Sequence, residues 1–297
     1  MGIVAPASHF KREDFEAGCE ALRRLGYQTI YEPSIFERDL YFAGSRERRA
    51  GELRQMFLRD DVKAILCARG GYGANYLLES LDLKAITQKP KIFVGYSDLT
   101  SLLTYILDTT GLVGFHGPMV AKDFAQADGI DISSWQAALE GRGNWVLDFA
   151  ADAGLKPLAE GSAQGVLYGG CLSMLVESLG TPYNLQTQGT ILFIEDLATK
   201  PYQIDRMLMH LKLAGKLAGV KGIVFGEMLD CLSSPNQGFT LEEVVMRVVG
   251  DLKVPVAYGL RSGHVSRENI TLPLGVQVAL RVENSGVSLE FLEAATA

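Results

Sequence analysis

The sequence predicts an α/β protein in two parts, an N-terminal domain built on a parallel sheet and a smaller, β-rich α+β domain after it. Three observations predict this. Over residues 1–120 apolar runs alternate with helical patterns, over 121–160 the pattern thins into polar and small residues, and over 161–297 strand-like runs dominate. Strands that alternate with helices imply a parallel sheet covered on both faces. At 297 residues the chain has room for about two domains of roughly 150 residues each.

In chain order, GIVAPAS is a short apolar run, followed by the helical patterns FEAGCEALRRLGY and SRERRAGELRQMFLRD. VKAILCARGG is a buried strand ending in glycines, and ANYLLESLD is a helix after it. KIFVGYS is the next strand, and the helix that follows places Leu99, Leu102, Leu103, Ile106 and Leu107 on one face. The stretch 121–160 (AKDFAQADG, GRGN, ADAG around the helical DISSWQAALEG) has the composition of a linker. Beyond it come the strands QGVLYGG, GTILFIED, KGIVFGE, VQVALRVENSG and VSLEFLEA, with helices PYQIDRMLMHLKLAGKL and LEEVVMRVVGDLK. The last two strands, joined through NSG, read as a hairpin.

The net charge of −7 argues against nucleic acid as a partner, because phosphate binding needs a basic face. A small molecule or a peptide fits better. No run reaches the 18 or so apolar residues of a membrane span, and the N-terminus lacks the pattern of a secretory signal, so a cytoplasmic, membrane-free protein is expected. Cys19, Cys67, Cys171 and Cys231 are far apart and form no C-x-x-C pair, which predicts reduced, buried thiols and no zinc site.

Four places could carry chemistry. Ser97 stands at a strand-to-helix turn, where it is either a helix cap or a nucleophile raised on an elbow, with the Asp98 N–H and the helix dipole available to an oxyanion. Gly71 and Gly73 begin a glycine-rich turn, which departs from the dinucleotide fingerprint at Tyr76. Such a turn can free an N–H for a second oxyanion donor. Arg69, beside it, is either a reader of a substrate carboxylate or part of a structural ion pair.

Glu195 and Asp196 end the strand Ile191–Ile194, and a buried carboxylate there requires a partner. One reading is a salt bridge from Glu195 to a cation such as Arg206, with Asp196 capping the following helix. The other is a triad acid orienting a histidine. Of the four histidines, His210 falls on an amphipathic helix and His9 in the first loop. His116 in GFHGP and His264 in GLRSGHVSRENITLP both sit in glycine-flanked turns, and local sequence does not choose between them.

Together these segments resemble the serine LD-carboxypeptidases, the muramoyltetrapeptide carboxypeptidase family. The matching pieces are VAPAS, YFAGS with its nearby arginines, ARGGYGA, GYSDLT, FHGP, GGCLSML, GTPY, ILFIED, YQIDR, and SGH followed by NITLPLG, in order over nearly the whole chain. The resemblance implies a Ser-His-Glu triad of Ser97 as nucleophile, His264 as base and Glu195 as acid, with His116 structural. It implies an oxyanion hole from the N–H groups of Asp98 and Gly71, and an active site in the cleft between the two domains. It also implies no metal or other cofactor, a homodimer, and a murein tetrapeptide substrate whose terminal D-alanine is removed from the L-centre of meso-diaminopimelate during cell-wall recycling. Cys171 departs from the family pattern, which often has Asn there.

Two rivals remain at this level. One branch of the family hydrolyses microcin-type peptidyl or aminoacyl adenylates and stacks the base on an aromatic residue of a C-terminal-domain loop; here both tryptophans, Trp135 and Trp145, lie in the linker stretch. A non-catalytic protein that binds a small ligand at its glycine turns is the rival from another class.

Overall fold

The computed structural model describes residues 1–149, 155–232 and 238–296. Its first sheet has five strands in the order Gly2–Val4, Ala64–Cys67, Ile92–Gly95, Gly114–His116, Leu272–Leu274. The first four are parallel, as the alternating pattern predicts. The fifth arrives from the far end of the chain and runs antiparallel against Gly114–His116, pairing Leu272 with His116. No local pattern in a three-residue strand announces this exchange. It is driven by burial of Leu272 and Leu274, and it carries the loop containing His264 to the first sheet.

The second sheet has eight strands in the order Trp145–Asp148, Gly286–Phe291, Gln277–Glu283, Gly161–Cys171, Thr190–Glu195, Gly222–Gly226, Val256–Leu260, Lys156–Ala159. Gln277–Glu283 and Gly286–Phe291 form the predicted hairpin. The centre, from Gly161–Cys171 to Val256–Leu260, is parallel. Helices Leu172–Glu177, Pro201–Leu213 and Leu241–Val249 make its crossovers. The all-apolar Ile191–Ile194 run is buried on both faces, Ile191 and Phe193 in the cluster with Leu102 and Leu103 of the first sheet's helix and Leu192 and Ile194 in the cluster with Ile204 and Leu208 of Pro201–Leu213.

Within 121–160, read above as linker, the structure has the helix Ile132–Leu139 and the two edge strands Trp145–Asp148 and Lys156–Ala159. Residues 150–154 of that stretch, and 233–237 and 297 of the span 161–297, lie outside the described residues. All four cysteines are free and buried.

The halves share one core. A single apolar cluster runs from Val4 and Phe93 through Leu102 to Phe193 and Leu280. The helix after Ser97, Thr100–Thr110, docks on the second sheet, and Thr100 Oγ1 accepts a hydrogen bond from the Cys171 N–H at 3.1 Å. The carboxyl ends of the parallel strands of both sheets thus meet, which is where ligand sites of open α/β sheets form.

Candidate active site

Ser97 follows the strand Ile92–Gly95 and opens a single 3-10 turn, Ser97–Leu99. Its φ of 63° is left-handed, a conformation that costs an L-residue about 1–2 kcal/mol. The side chain caps neither the 3-10 turn nor the helix after it. The cap reading of this serine is therefore overturned, since a capping residue has extended backbone and an oxygen turned back on the helix. Strain held in place by its surroundings is a mark of functional turns.

The glycine-rich turn is set against this serine. A β-carbon on Gly70 would lie 2.9 Å from the Ser97 β-carbon, so the two backbones approach as closely as a side chain allows. Gly71 has a φ of 103° and is exposed. Ser8, the last residue of VAPAS, accepts from the Tyr72 N–H through its Oγ at 3.1 Å. Buried Arg49 binds the carbonyls of Pro6 (2.6 Å), Gly73 (2.7 Å) and Gly44 (3.3 Å), drawing three loops into one body. Asp98 Oδ2 accepts from the Ala74 N–H at 2.7 Å, and burial pushes its carboxyl up to about 6. Asp98 thereby ties the serine turn to the glycine turn.

Glu195 is fully buried at the end of its strand and meets His264. Its Oε2 accepts both the His264 N–H (3.1 Å) and Nδ1–H (2.7 Å), a two-point grip that fixes the ring's plane and leaves Nε2 free. Burial works against ionisation of Glu195, but the contact with His264 outweighs it and holds the carboxyl down at about 2. The other partner considered for it, Arg206, lies instead over the Tyr202 ring. Asp196 turns to a different helix from the one anticipated, accepting from Ser173 N–H at 2.9 Å in the first turn of Leu172–Glu177.

Both histidines of the contest come to the same acid. His116 is wholly buried, and its Nε2 stands 3.8 Å from Glu195 Oε1, too far for a hydrogen bond. Its Nδ1 lies 3.0 Å from Ser262 Oγ. Because that hydroxyl donates to the Ile270 carbonyl at 2.8 Å, it accepts from His116, which fixes the proton on Nδ1. His264 is 7% exposed against 0% for His116, so only His264 has any opening to solvent. Its ring stands edge-on to Tyr96, the neighbour of Ser97, at 5.2 Å between centroids.

Residues that sequence reasoning missed hold this arrangement. Asn269 closes both backbone groups of Gly263, accepting from its N–H (2.9 Å) and donating to its carbonyl (3.1 Å). Asp123 accepts from the Met119 N–H (2.8 Å) and the Tyr96 hydroxyl (3.2 Å), fixing the ring that meets His264. Asn269 lies in the segment after SGH already of interest, whereas Asp123 falls in the stretch read as linker, which gave no signal. Arg69 is exposed beside the same turn and donates to the His9 carbonyl at 3.2 Å.

The glycine of SGH has a steric reason. Gly263 has a φ of 93°, and a β-carbon there would come within 2.7 Å of His116 Cε1 and 2.8 Å of Glu195 Cδ. We expect Gly263→Ala to lose about 2–5 kcal/mol, from strained backbone together with overpacking. Thermal unfolding measures that loss, and a melting temperature within 2–3 °C of the parent's, by rough size scaling, would show that the carboxylate is less tightly walled than described.

Two family models match the chain, the LD-carboxypeptidase N-terminal domain over residues 1–117 and the LD-carboxypeptidase C-terminal domain over 164–280. The chain belongs to the LD-carboxypeptidase family. Among its relatives, a Bacillus subtilis protein named "Probable murein peptide carboxypeptidase" is 36% identical over 98% of this chain and 91% of its own length. The microcin C7 self-immunity protein MccF of Escherichia coli is 28% identical over 96% of this chain and 90% of its own. Among solved structures, muramoyltetrapeptide carboxypeptidase from Oxalobacter formigenes superposes with a TM-score of 0.87 at 28% identity, covering 99% of each chain. An inactive mutant of MccF superposes with 0.90 at 26% identity, covering 100% of this chain and 96% of that one. This LD-carboxypeptidase family member is thus a hydrolase of the carboxypeptidase class. Among the described residues no helix is long and apolar enough to cross a membrane.

Proposed function

We propose that this LD-carboxypeptidase is a serine peptidase that removes the terminal D-alanine of a murein tetrapeptide through a Ser97-His264-Glu195 triad. The observation that carries the reading is the buried Glu195–His264 pair, held at 2.7 Å with Nε2 left over, together with a His264 ring that meets Tyr96, the residue before a left-handed serine that caps nothing. His264 Nε2 takes the Ser97 proton as Oγ attacks the peptide carbonyl, while Glu195 stabilises the imidazolium. The N–H groups of Asp98 and Gly71 receive the oxyanion, and the proton returns from His264 to the departing amine of D-alanine. Water, activated by the same imidazole, then hydrolyses the acyl-enzyme. Arg69, exposed beside the glycine turn, is suited to the carboxylate of the departing D-alanine, because its planar fork matches that group.

The murein substrate is preferred to an adenylate on the tryptophans, neither of which is free to stack on a base. Trp135 is wholly buried and donates to the Tyr27 hydroxyl, and Trp145 lies flat on Phe291 at 4.0 Å, so both tryptophans are committed to the protein's own interior and edge. The test is incubation with a murein tetrapeptide and with an aminoacyl adenylate analogue, followed by mass spectrometry. Loss of one alanine, unaffected by a metal chelator, supports the proposal, and turnover of the adenylate alone would replace it.

The acid's low pKa has a consequence for stability. Its folded value of about 2 lies below the ordinary 4.5, so the stabilisation from ionised Glu195 is fully present above about 4.5 and is lost as pH falls through about 2. The urea midpoint of the parent should therefore drop towards that of Glu195→Gln between pH 4.5 and 2. A gap that stays constant over that range would refute the assignment of charge to this carboxylate.

A further inference from the structure

The peptide group between Gly73 and Ala74 is gripped at both ends by charged side chains. Its carbonyl accepts from Arg49 Nη1 at 2.7 Å, and its N–H donates to Asp98 Oδ2 at 2.7 Å. Both side chains are buried. The guanidinium gives its hydrogen bonds to the carbonyls of Gly44, Pro6 and Gly73, and of the carboxylates that act on it Asp98 acts most strongly. A cation at the carbonyl and an anion at the N–H both align with the peptide's own dipole, so each contact strengthens the other.

That peptide closes the glycine turn. At the turn's other end the Gly70 carbonyl accepts from the Ser8 N–H at 3.2 Å, and the Tyr72 N–H donates to Ser8 Oγ at 3.1 Å. Gly71 stands between these anchors at a φ of 103°, and among the described residues its own N–H makes no hydrogen bond. Gly73 has no room to move aside, since a β-carbon there would lie 2.6 Å from Phe42 and 3.0 Å from Arg49 Nη1. Asp98 therefore serves both turns: its backbone follows Ser97, and its carboxylate reaches across to the turn that carries Gly71.

We propose that the Arg49 and Asp98 side chains are positioning groups, a charge clamp on the Gly73–Ala74 peptide that fixes the Gly71 N–H where an oxyanion forms. The inference rests on the serine-peptidase reading, in which the Gly71 and Asp98 N–H groups receive that oxyanion. Both side chains act through the turn and not on the peptide being cut. The clamp thus counts in the transition state, when charge appears on the attacked oxygen, and leaves the binding of uncut peptide alone.

The test is release of D-alanine from a murein tetrapeptide, with kcat taken per folded molecule and thermal melting followed alongside. Asp98→Ala frees the Ala74 N–H and should lose about ten- to a hundredfold in kcat, less than removal of an oxyanion donor outright, with KM within about twofold. Asp98→Asn keeps an acceptor but not the charge, and its kcat should fall between those of the parent and Asp98→Ala. Arg49→Lys keeps the charge but loses the planar fork that spans the carbonyls, and should lose about fivefold or more in kcat, again with KM held. Because both side chains grip one peptide, the Arg49→Lys and Asp98→Ala losses combined should fall short of their product. If Asp98→Ala does not fold, Arg49→Lys decides alone. An unchanged kcat in either variant, a loss carried by KM, a loss in Asp98→Asn equal to that in Asp98→Ala, or losses that multiply in the double variant would each overturn the clamp while the parent enzyme still cuts. A parent that releases no D-alanine would instead sink the serine-peptidase reading and the clamp with it.

Discussion

Ser97→Ala should lose a thousandfold or more in kcat on a murein tetrapeptide, by the scale on which removal of a triad nucleophile acts. The loss should come with almost no change in stability. Alanine keeps the β-carbon of serine, so the left-handed turn at φ 63° carries the same strain, and no capping bond is lost because none is made. Ser97→Gly sharpens the point. Glycine relieves a left-handed strain of about 1–2 kcal/mol and gives back about 0.5–1 kcal/mol through its freer unfolded chain. The glycine variant should be inactive yet at least as stable as the parent. A protein that keeps its turnover in Ser97→Ala would remove this serine from the mechanism altogether, whatever the geometry around it.

Glu195→Gln should cost roughly a thousandfold or more in kcat while leaving the fold in place, as happens when a triad acid becomes an amide. The geometry explains the separation. The glutamine carbonyl can still accept from both the N–H and the Nδ1–H of His264, which now meet at Oε2. The amide NH2 would then face His116 Nε2, at the 3.8 Å now spanned to Oε1. What disappears is the negative charge that stabilises an imidazolium while the serine proton rests on it. The check is kcat against KM: a loss confined to kcat marks a group acting in the transition state, whereas a loss confined to KM would reassign Glu195 to substrate binding.

Much of this was legible in the chain before any coordinates. The parallel strands of the first sheet follow from apolar runs separated by helical periods, and the terminal hairpin from alternation around NSG. ANYLLESLD was helical as expected but wound more tightly, as the 3-10 helix Ala74–Ser80, whose first N–H is held by Asp98 and whose preceding carbonyl, at Gly73, is held by Arg49. Short strands escaped notice, since three or four residues carry too little periodicity to stand out; Gly114–His116, Leu272–Leu274 and Lys156–Ala159 are of this kind.

By itself the sequence determined the kinds of groups available: a serine at a strand-to-helix turn, an acid ending an apolar strand, two histidines flanked by glycines, and glycines where backbones must approach. Those are local properties, set by side-chain chemistry and by which backbone angles each residue tolerates. Only the tertiary structure decided which histidine faces solvent, that Glu195 meets both of them while Arg206 lies over Tyr202, and that Asn269 and Asp123 brace the pair. Those outcomes depend on strand Leu272–Leu274 crossing to the first sheet, a pairing between residues more than 150 positions apart that buried area favours and no local pattern records.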